Sequence, residues 1–396
     1  MFHIKIAFIS THLTIYGGAG VFLMTYANLF AEEGHEITII AQKIDKSKYH
    51  FHPNIKLIEI GGVLPSNPIY WITMFWIKKK YVREISKLDV NILFPQFFPV
   101  NFFCLDANPS NNSKVIYYCH EPFRFFYDKE YIKRSSLSMR VISFGLRIFF
   151  KRFDQFAGKN VDQIACNSNF IAGQIKKIYQ RKAFVHTTFP SIPPMQKDFN
   201  LRQKLKIKPL SPILFTLGLS SHMKGAEEMM YIFGRILKKN KDTVLIIGGS
   251  IEKNNLKIII SLKRYLKIQD ENLILLGFIP DDELGAYYGQ STVVIYTALY
   301  ESFGLVPIES LYYSTPVVAF EGGPSETIIE AKSGFVVKNG DIDSFTNRVI
   351  QLIENPKLRN QFGNFGHNYV VQNFTRDKSL GQLRSFFSDT LAFTGK

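Results

Sequence analysis

The feature that most limits how this chain can fold is a rhythm. Short runs of β-branched and aromatic residues, apolar throughout, are each followed by a stretch with helical periodicity. "HIKIAFIS" is the first such run, and "GGAGVFLMTYANLFAEEG" carries apolar residues at helical spacing before closing on Gly34, a C-cap candidate. "HEITIIA" completes a βαβ unit, and "NILFPQ", "KVIYYCH" and "QIACNS" repeat the pattern. A strand that is apolar on both faces must be covered on both, which implies a parallel sheet between two layers of helices.

The rhythm breaks once, at "TTFPSIPPMQKDFN", where Pro190, Pro193 and Pro194 interrupt all periodicity as a stiff linker does. It restarts with "PILFTLG" and the helical "KGAEEMMYIFGRILKK", then "TVLIIGG", "NLILLGF", "TVVIYTA" and "PVVAFEGG". A chain of 396 residues exceeds one ordinary core and fits two domains of roughly 150–200 residues each. The expected class is therefore α/β: two tandem doubly wound, Rossmann-like domains facing a central cleft, with ligand beyond the carboxyl ends of the strands. The expected boundaries are 1–189 for the first domain, 190–196 for the linker and 197–375 for the second; 376–396 forms a terminal helix free to pack back on the first.

Charge is divided unevenly. Residues 1–195 hold 24 Lys+Arg against 13 Asp+Glu, a net of +11, and the remainder 24 against 20, a net of +4, which recovers the total of +15. A basic first half favours a nucleic acid, a phosphorylated substrate or an anionic membrane face, although general lysine enrichment gives the same count. No basic stripe with stacking aromatics supports the nucleic acid. Cys104, Cys119 and Cys166 fit no metal spacing and no disulfide framework, and the opening residues carry no signal peptide, so a cytoplasmic protein is expected. "PIYWITMFWI" and "VISFGLRIFF" are about half a membrane span. With their flanks they mix aromatics with Lys and Arg as interfacial helices do, and helices lining the first core would read the same way.

The chemistry concentrates in "ALYESFGLVPIESLYYSTPVVAF". Glu301 stands on the loop after a strand, on the ligand side. Pro307 is tolerable only near a helix start, so the helix begins around Ser302 to Leu305. The N–H groups of Phe303, Gly304 and Leu305 would then offer a phosphate site. Glu309, about one turn further in, would accept hydrogen bonds from two neighbouring hydroxyls. The layout suits a molecule with hydroxyls at both ends and a diphosphate between, as in a nucleotide sugar. Two solvated surface carboxylates are the plainer alternative. In "LGLSSHMKG", Lys224 sits after a strand end at the start of a helix, where it would neutralise a diphosphate leaving group.

The run Glu301-Ser-Phe-Gly-Leu-Val-Pro-Ile-Glu309 resembles the E-x7-E signature of the retaining, two-Rossmann-domain glycosyltransferases of family 4, and the likeness extends from Gly277 to Ile328. The resemblance implies that Glu301 contacts donor-sugar hydroxyls and Glu309 the nucleotide ribose. The family usually has G-R-L followed by a lysine six residues after the glycine; Gly218 and Lys224 match, but Leu219 replaces the arginine, so one phosphate-neutralising charge is missing from its usual place.

By the same resemblance, Gly17 and Gly18 of "YGGAG" let backbone amides approach the donor phosphates or an acceptor hydroxyl. The pattern "YYCHEPFR" is similar to mannosyltransferase branches, placing His120 near the reacting sugar carbon and Arg124 on an acceptor phosphate. Glu326 of "EGGPSETI" suits helix capping or donor contact equally. The glycine cluster is not a dinucleotide fingerprint, and no acidic residue closes "ITIIA", so a nicotinamide cofactor is disfavoured.

The implied reaction is sugar transfer, mannose favoured, from a nucleotide-sugar donor to a glycan or glycolipid acceptor at the cytoplasmic face of a membrane, with retention through a front-face displacement. No D-x-D motif ends a strand and Asp281-Asp282 reads as a helix start, so no metal and no cofactor are expected. Two other readings stand beside it: a nucleotide-sugar epimerase, for which no further acid/base carboxylates are found, and a non-catalytic sugar-nucleotide-binding module, to which Leu219 gives its chance.

Overall fold

The computed structural model describes residues 3–14, 17–65, 67–108, 112–190, 192, 195–196 and 198–392. The chain divides into two compact units, Met1–Thr187 with Asp377–Lys396, and Thr188–Arg376. Pro193 and Pro194 of the expected linker, and Tyr16 of the glycine cluster, lie outside the described residues.

The first unit is built on seven parallel strands: β1 (Lys5–Ile9), β2 (Glu36–Ala41), β3 (Lys56–Glu59), β4 (Ile92–Pro95), β5 (Lys114–Cys119), β6 (Gln163–Cys166) and β7 (Phe184–Val185). They lie in the order β3-β2-β1-β4-β5-β6-β7. Strand alternation sends Ala7, Ile9, Leu93, Val115 and Tyr117 into a core shared with Tyr70, Trp71, Phe103 and Tyr179 of the covering helices. The opposite face carries Phe8 and Phe94, rings 5.4 Å apart. It is closed by Phe30 and by Phe387 of the helix Arg376–Ala392, whose ring lies 5.2 Å from Phe94 and 5.5 Å from Phe30. On that helix Ser379 meets the Tyr26 hydroxyl at 2.5 Å. The end of the chain thus supplies part of the first core.

The second unit repeats the plan with β8 (Ile213–Leu219), β9 (Val244–Ile251), β10 (Leu273–Gly277), β11 (Val293–Tyr296), β12 (Val317–Phe320) and β13 (Gly334–Val337). Their order is β10-β9-β8-β11-β12-β13, all parallel. Phe215, Ile246, Val294, Val317 and Ala319 form its core with Tyr288, Ile308 and Leu311 from the helices.

In each unit the first strand is central, and the winding reverses beside it, between β1 and β4 and between β8 and β11. Loops leaving such a pair run to opposite faces and open a crevice at the carboxyl ends of the strands. Both sheets have strands beyond those expected: β3, β7 and β13, all at edges. Among the described residues no helix is long and apolar enough to cross a membrane.

Candidate active site

In the second unit the loops after β8 and β11 are stitched together. Leu299 N–H donates to the Met223 carbonyl at 2.8 Å, and Thr297 Oγ1 to the Lys224 carbonyl at 3.1 Å. Gly225 makes this approach possible: its φ is +67°, and a Cβ there would stand 2.0 Å from the Thr297 oxygen. The same left-handed residue separates Lys224 from the helix that follows. Lys224 was expected at a helix start; it lies instead in a 3-10 turn, His222–Lys224, and the helix begins at Ala226.

That turn aims Lys224 at the β11 loop. Its Nζ donates to Glu301 Oε2 at 2.6 Å and to the Tyr296 hydroxyl at 3.2 Å, and Tyr296 donates to the same carboxylate oxygen at 2.9 Å. Burial opposes the charge on Lys224, but Glu301 and Tyr296 more than offset it and hold the ammonium well above the ordinary lysine range. Burial, reinforced by Glu301, likewise raises the Tyr296 phenol. The pair is a closed ionic contact, partly open to solvent, with Nζ at the carboxylate a sugar hydroxyl would seek.

Glu301 is clamped from behind. Gly323 N–H donates to its carbonyl at 2.7 Å, and a Cβ on Gly323 would lie 2.3 Å from the Phe303 nitrogen. Beyond it the helix Leu305–Tyr312 starts after Gly304, at φ +92°, with no side chain capping its first turn and no acidic residue in it. Its leading N–H groups, with those of Phe303 and Gly304, give the anion-binding geometry of a helix start. Glu309 lies one turn in and accepts from the Tyr288 hydroxyl at 2.6 Å. Burial, against that hydrogen bond, lifts its carboxyl to about 7. Glu326 sits in the short helix Pro324–Thr327, its N–H on the Gly323 carbonyl. Gly218, at φ +76°, lies within β8, and the Leu219 side chain is packed in the core, so that position brings no cation.

In the first unit His120 follows β5 and meets Gln96, which follows β4. Their Nε2 and Oε1 atoms are 2.7 Å apart. The imidazole packs edge-on to Phe22 at 5.0 Å and stacks on Phe97 at 5.2 Å. Burial, helped by His186, drops its pKa to about 3, so it is neutral at physiological pH. With Nε2–H donating to Gln96, Nδ1 keeps the lone pair. Gln96 is buried, and its amide nitrogen has no partner among the described residues.

Gly17 caps the helix Gly18–Glu32 through extended backbone, and a Cβ at Gly17 or Gly18 would meet nothing within 4 Å. Arg124 is engaged within its own segment, 2.6 Å from Glu121 and 3.7 Å from Asp128, so two carboxylates already match its charge. Among the described residues no group of three or more His, Cys, Asp or Glu is placed to hold a metal ion.

Three residues here escaped the sequence reading: Tyr296, Tyr288 and Gln96. Tyr296 and Tyr288 read as core aromatics, and only their position at a strand end or opposite Glu309 gives them away. Gln96 carried a faint signal, a polar residue directly after the apolar run "NILFP".

The arrangement can be set against known proteins. A family model described as glycosyl transferases group 1 matches residues 197–369, and one for glycosyltransferase family 4 matches residues 16–190. The chain is 26% identical over 293 residues to the alpha-1,3/1,6-mannosyltransferase ALG2 of Dictyostelium discoideum, covering 67% of each chain. In structure it is similar to a sucrose-phosphate synthase from Thermosynechococcus elongatus, with a TM-score of 0.81 at 17% identity, covering 99% of this chain and 100% of the other. It is also similar to HepE of Anabaena in complex with UDP, with a TM-score of 0.77 at 16% identity, covering 98% and 100%. The structural likenesses show the two-domain fold. The family models and the relative favour sugar transfer over epimerisation or bare binding.

Proposed function

Because the chain belongs to the two-domain glycosyltransferases that those family models describe, we propose that it moves a sugar, with mannose favoured, from a nucleoside-diphosphate donor to a lipid-linked or polysaccharide acceptor. The observation that carries this reading is the contact of Lys224, Tyr296 and Glu301 beside the uncapped helix start at Gly304. A bound diphosphate would take the ammonium and the helix-start amides, while the donor sugar's hydroxyls replace the ammonium on Glu301. The ribose hydroxyls would go to Glu309, freed to ionise as Tyr288 continues to donate to it.

In this mechanism the anomeric configuration is retained. The acceptor oxygen attacks on the face from which the diphosphate departs, and the leaving phosphate takes its proton. Lys224 and the amides then stabilise the charge that grows on the leaving group. The reaction needs no metal, since the ammonium and the helix start supply the positive field. Neutral His120, fixed by Gln96, would offer Nδ1 to a hydroxyl near the reacting carbon. Gly17 and Gly18 leave room for donor phosphate or acceptor at the first helix start, and Arg124 is kept as an acceptor contact that must first leave Glu121. We place the protein in the cytoplasm, peripheral on the inner face of the membrane, with no nucleic acid partner.

The test is a thermal-shift screen against nucleoside diphosphates and their sugars, followed by donor turnover. Stabilisation by GDP-mannose above UDP-sugars is expected, with release of GDP. Preference for UDP-sugars would remove mannose from the proposal, and silence with every donor would return the binding-module reading.

A further inference from the structure

Ten of the nineteen large apolar side chains exposed among the described residues belong to two helices of the first unit, Ile69–Ile85 and Leu137–Asn160. On the longer one Leu137, Val141, Phe144 and Ile148 recur at helical spacing as one outward stripe, and Ile72 and Trp76 do the same on the shorter. Ile72 and Leu137 are each 77% exposed. The helices touch: Phe75 packs edge-on to Phe153 at 5.6 Å and Trp71 lies 5.4 Å from Phe150, so the stripes belong to adjoining surfaces. Single exposed apolar residues are ordinary, but a cluster of this kind marks a surface that something covers.

The charge around the cluster is mostly positive. Between Tyr131 and Phe153 the chain carries Lys133, Arg134, Arg140, Arg147, Lys151 and Arg152 and no acidic residue. On the shorter helix Lys78 is paired with Asp106, while Lys79 and Lys80 stand exposed. Apolar residues ringed by cations fit a layer with an apolar interior and an anionic surface. A second copy of the same face would bring cation against cation.

We propose that this face seats the first unit on an anionic lipid bilayer, with Phe144, Ile148 and Trp76 at the acyl boundary and Lys79, Lys80 and Arg147 against lipid phosphates. It deepens the function proposed above and takes its use from that reading, although the binding itself stands on the surface alone. Trp71 packs on Phe98 and Phe123, and Phe123 lies three residues past His120, so the face joins the strand ends through aromatic packing. An acceptor anchored by its lipid would present its glycan to that end of the sheet.

The experiment is co-sedimentation of the full chain with phosphatidylcholine vesicles, alone and mixed with phosphatidylglycerol, with donor turnover in solution measured in parallel. Binding is expected only with the anionic lipid, weakening as salt rises. Phe144→Ser/Ile148→Ser should abolish it, and Lys79→Gln/Lys80→Gln/Arg147→Gln should weaken it about a hundredfold, at about fivefold per cation. Both variants should keep the wild-type melting temperature and solution turnover. Indifference of the wild type to anionic lipid, or variants that bind as well as it does, would overturn the proposal. So would a concentration-dependent dimer that Phe144→Ser/Ile148→Ser disperses, since a second copy then covers the face. Vesicle binding without donor turnover would instead sink the enzymatic reading and leave this one standing.

Discussion

The two units share one strand order, and the residues at their switch points are chemical opposites. Beside β8 and β11 the strand ends are ionic: an ammonium, a carboxylate and a phenol share one contact, with a second carboxyl near neutrality at Glu309. Beside β1, β4 and β5 the groups around His120 are uncharged, an imidazole held neutral by burial, an amide, and the rings of Phe22 and Phe97, while Glu121 and Arg124 of the same loop are paired with each other. Topology thus decides where a site can form, and side chains decide what it takes. An ionic end suits a diphosphate whose charge grows as it leaves. A neutral, ring-lined end suits a sugar hydroxyl that must be oriented without being ionised.

The contrast breaks most visibly at Lys224. Lys224→Ala should lower kcat about 10²–10³-fold in steady-state transfer, the usual cost of one group stabilising transition-state charge. A loss below about tenfold would put the phosphate's partner elsewhere and leave the ionic end without its role.

Gln96→Glu imports charge into the neutral end. A carboxylate facing His120 Nε2–H should lift the imidazole from about 3 toward neutrality. An acid limb absent from the wild type should then appear in the kcat–pH profile, with a rate loss of about tenfold. A profile identical to wild type would detach His120 from the reaction.

Glu309 gives the smallest effect. Its folded-state carboxyl titrates near 7, above the ordinary 4.5, because burial disfavours the charge. The folded chain therefore holds an extra proton between those values, and the stability it lends falls as pH rises from 4.5 through about 7. Glu309→Gln should flatten that part of the melting-temperature profile. It should also remove any gain in nucleoside-diphosphate affinity over the same range. An unaltered slope would show that burial does not keep this carboxyl protonated.

How much of this was legible followed burial. Central strands such as "KIAFI" and "VVIY" are apolar on both faces and read clearly. The strands that escaped are edge strands: β3 reads "KLIE", β7 is two residues long and β13 opens on Gly334. β3 and β7 carry no buried apolar run, whereas β13 is apolar and almost wholly buried but only four residues long. Among site residues, Glu301, Glu309 and Lys224 could be singled out because charge is conspicuous in an apolar context. Tyr296, Tyr288 and Gln96 were not, since nothing local distinguishes a tyrosine in a core from one whose hydroxyl meets a carboxylate across the fold. The two basic, aromatic helices were ambiguous for a related reason. Periodicity reveals that a stripe exists, and only the packed neighbours reveal which stripe is left uncovered.

The returning helix Arg376–Ala392 carries a consequence for biosynthesis. Phe30 and Phe94 emerge from the ribosome before the second unit, whereas the ring of Phe387 that shields them follows it. The amino-terminal unit cannot finish closing until translation has passed through the entire second unit, so a nascent or prematurely terminated chain displays that bare aromatic surface to chaperones and proteases.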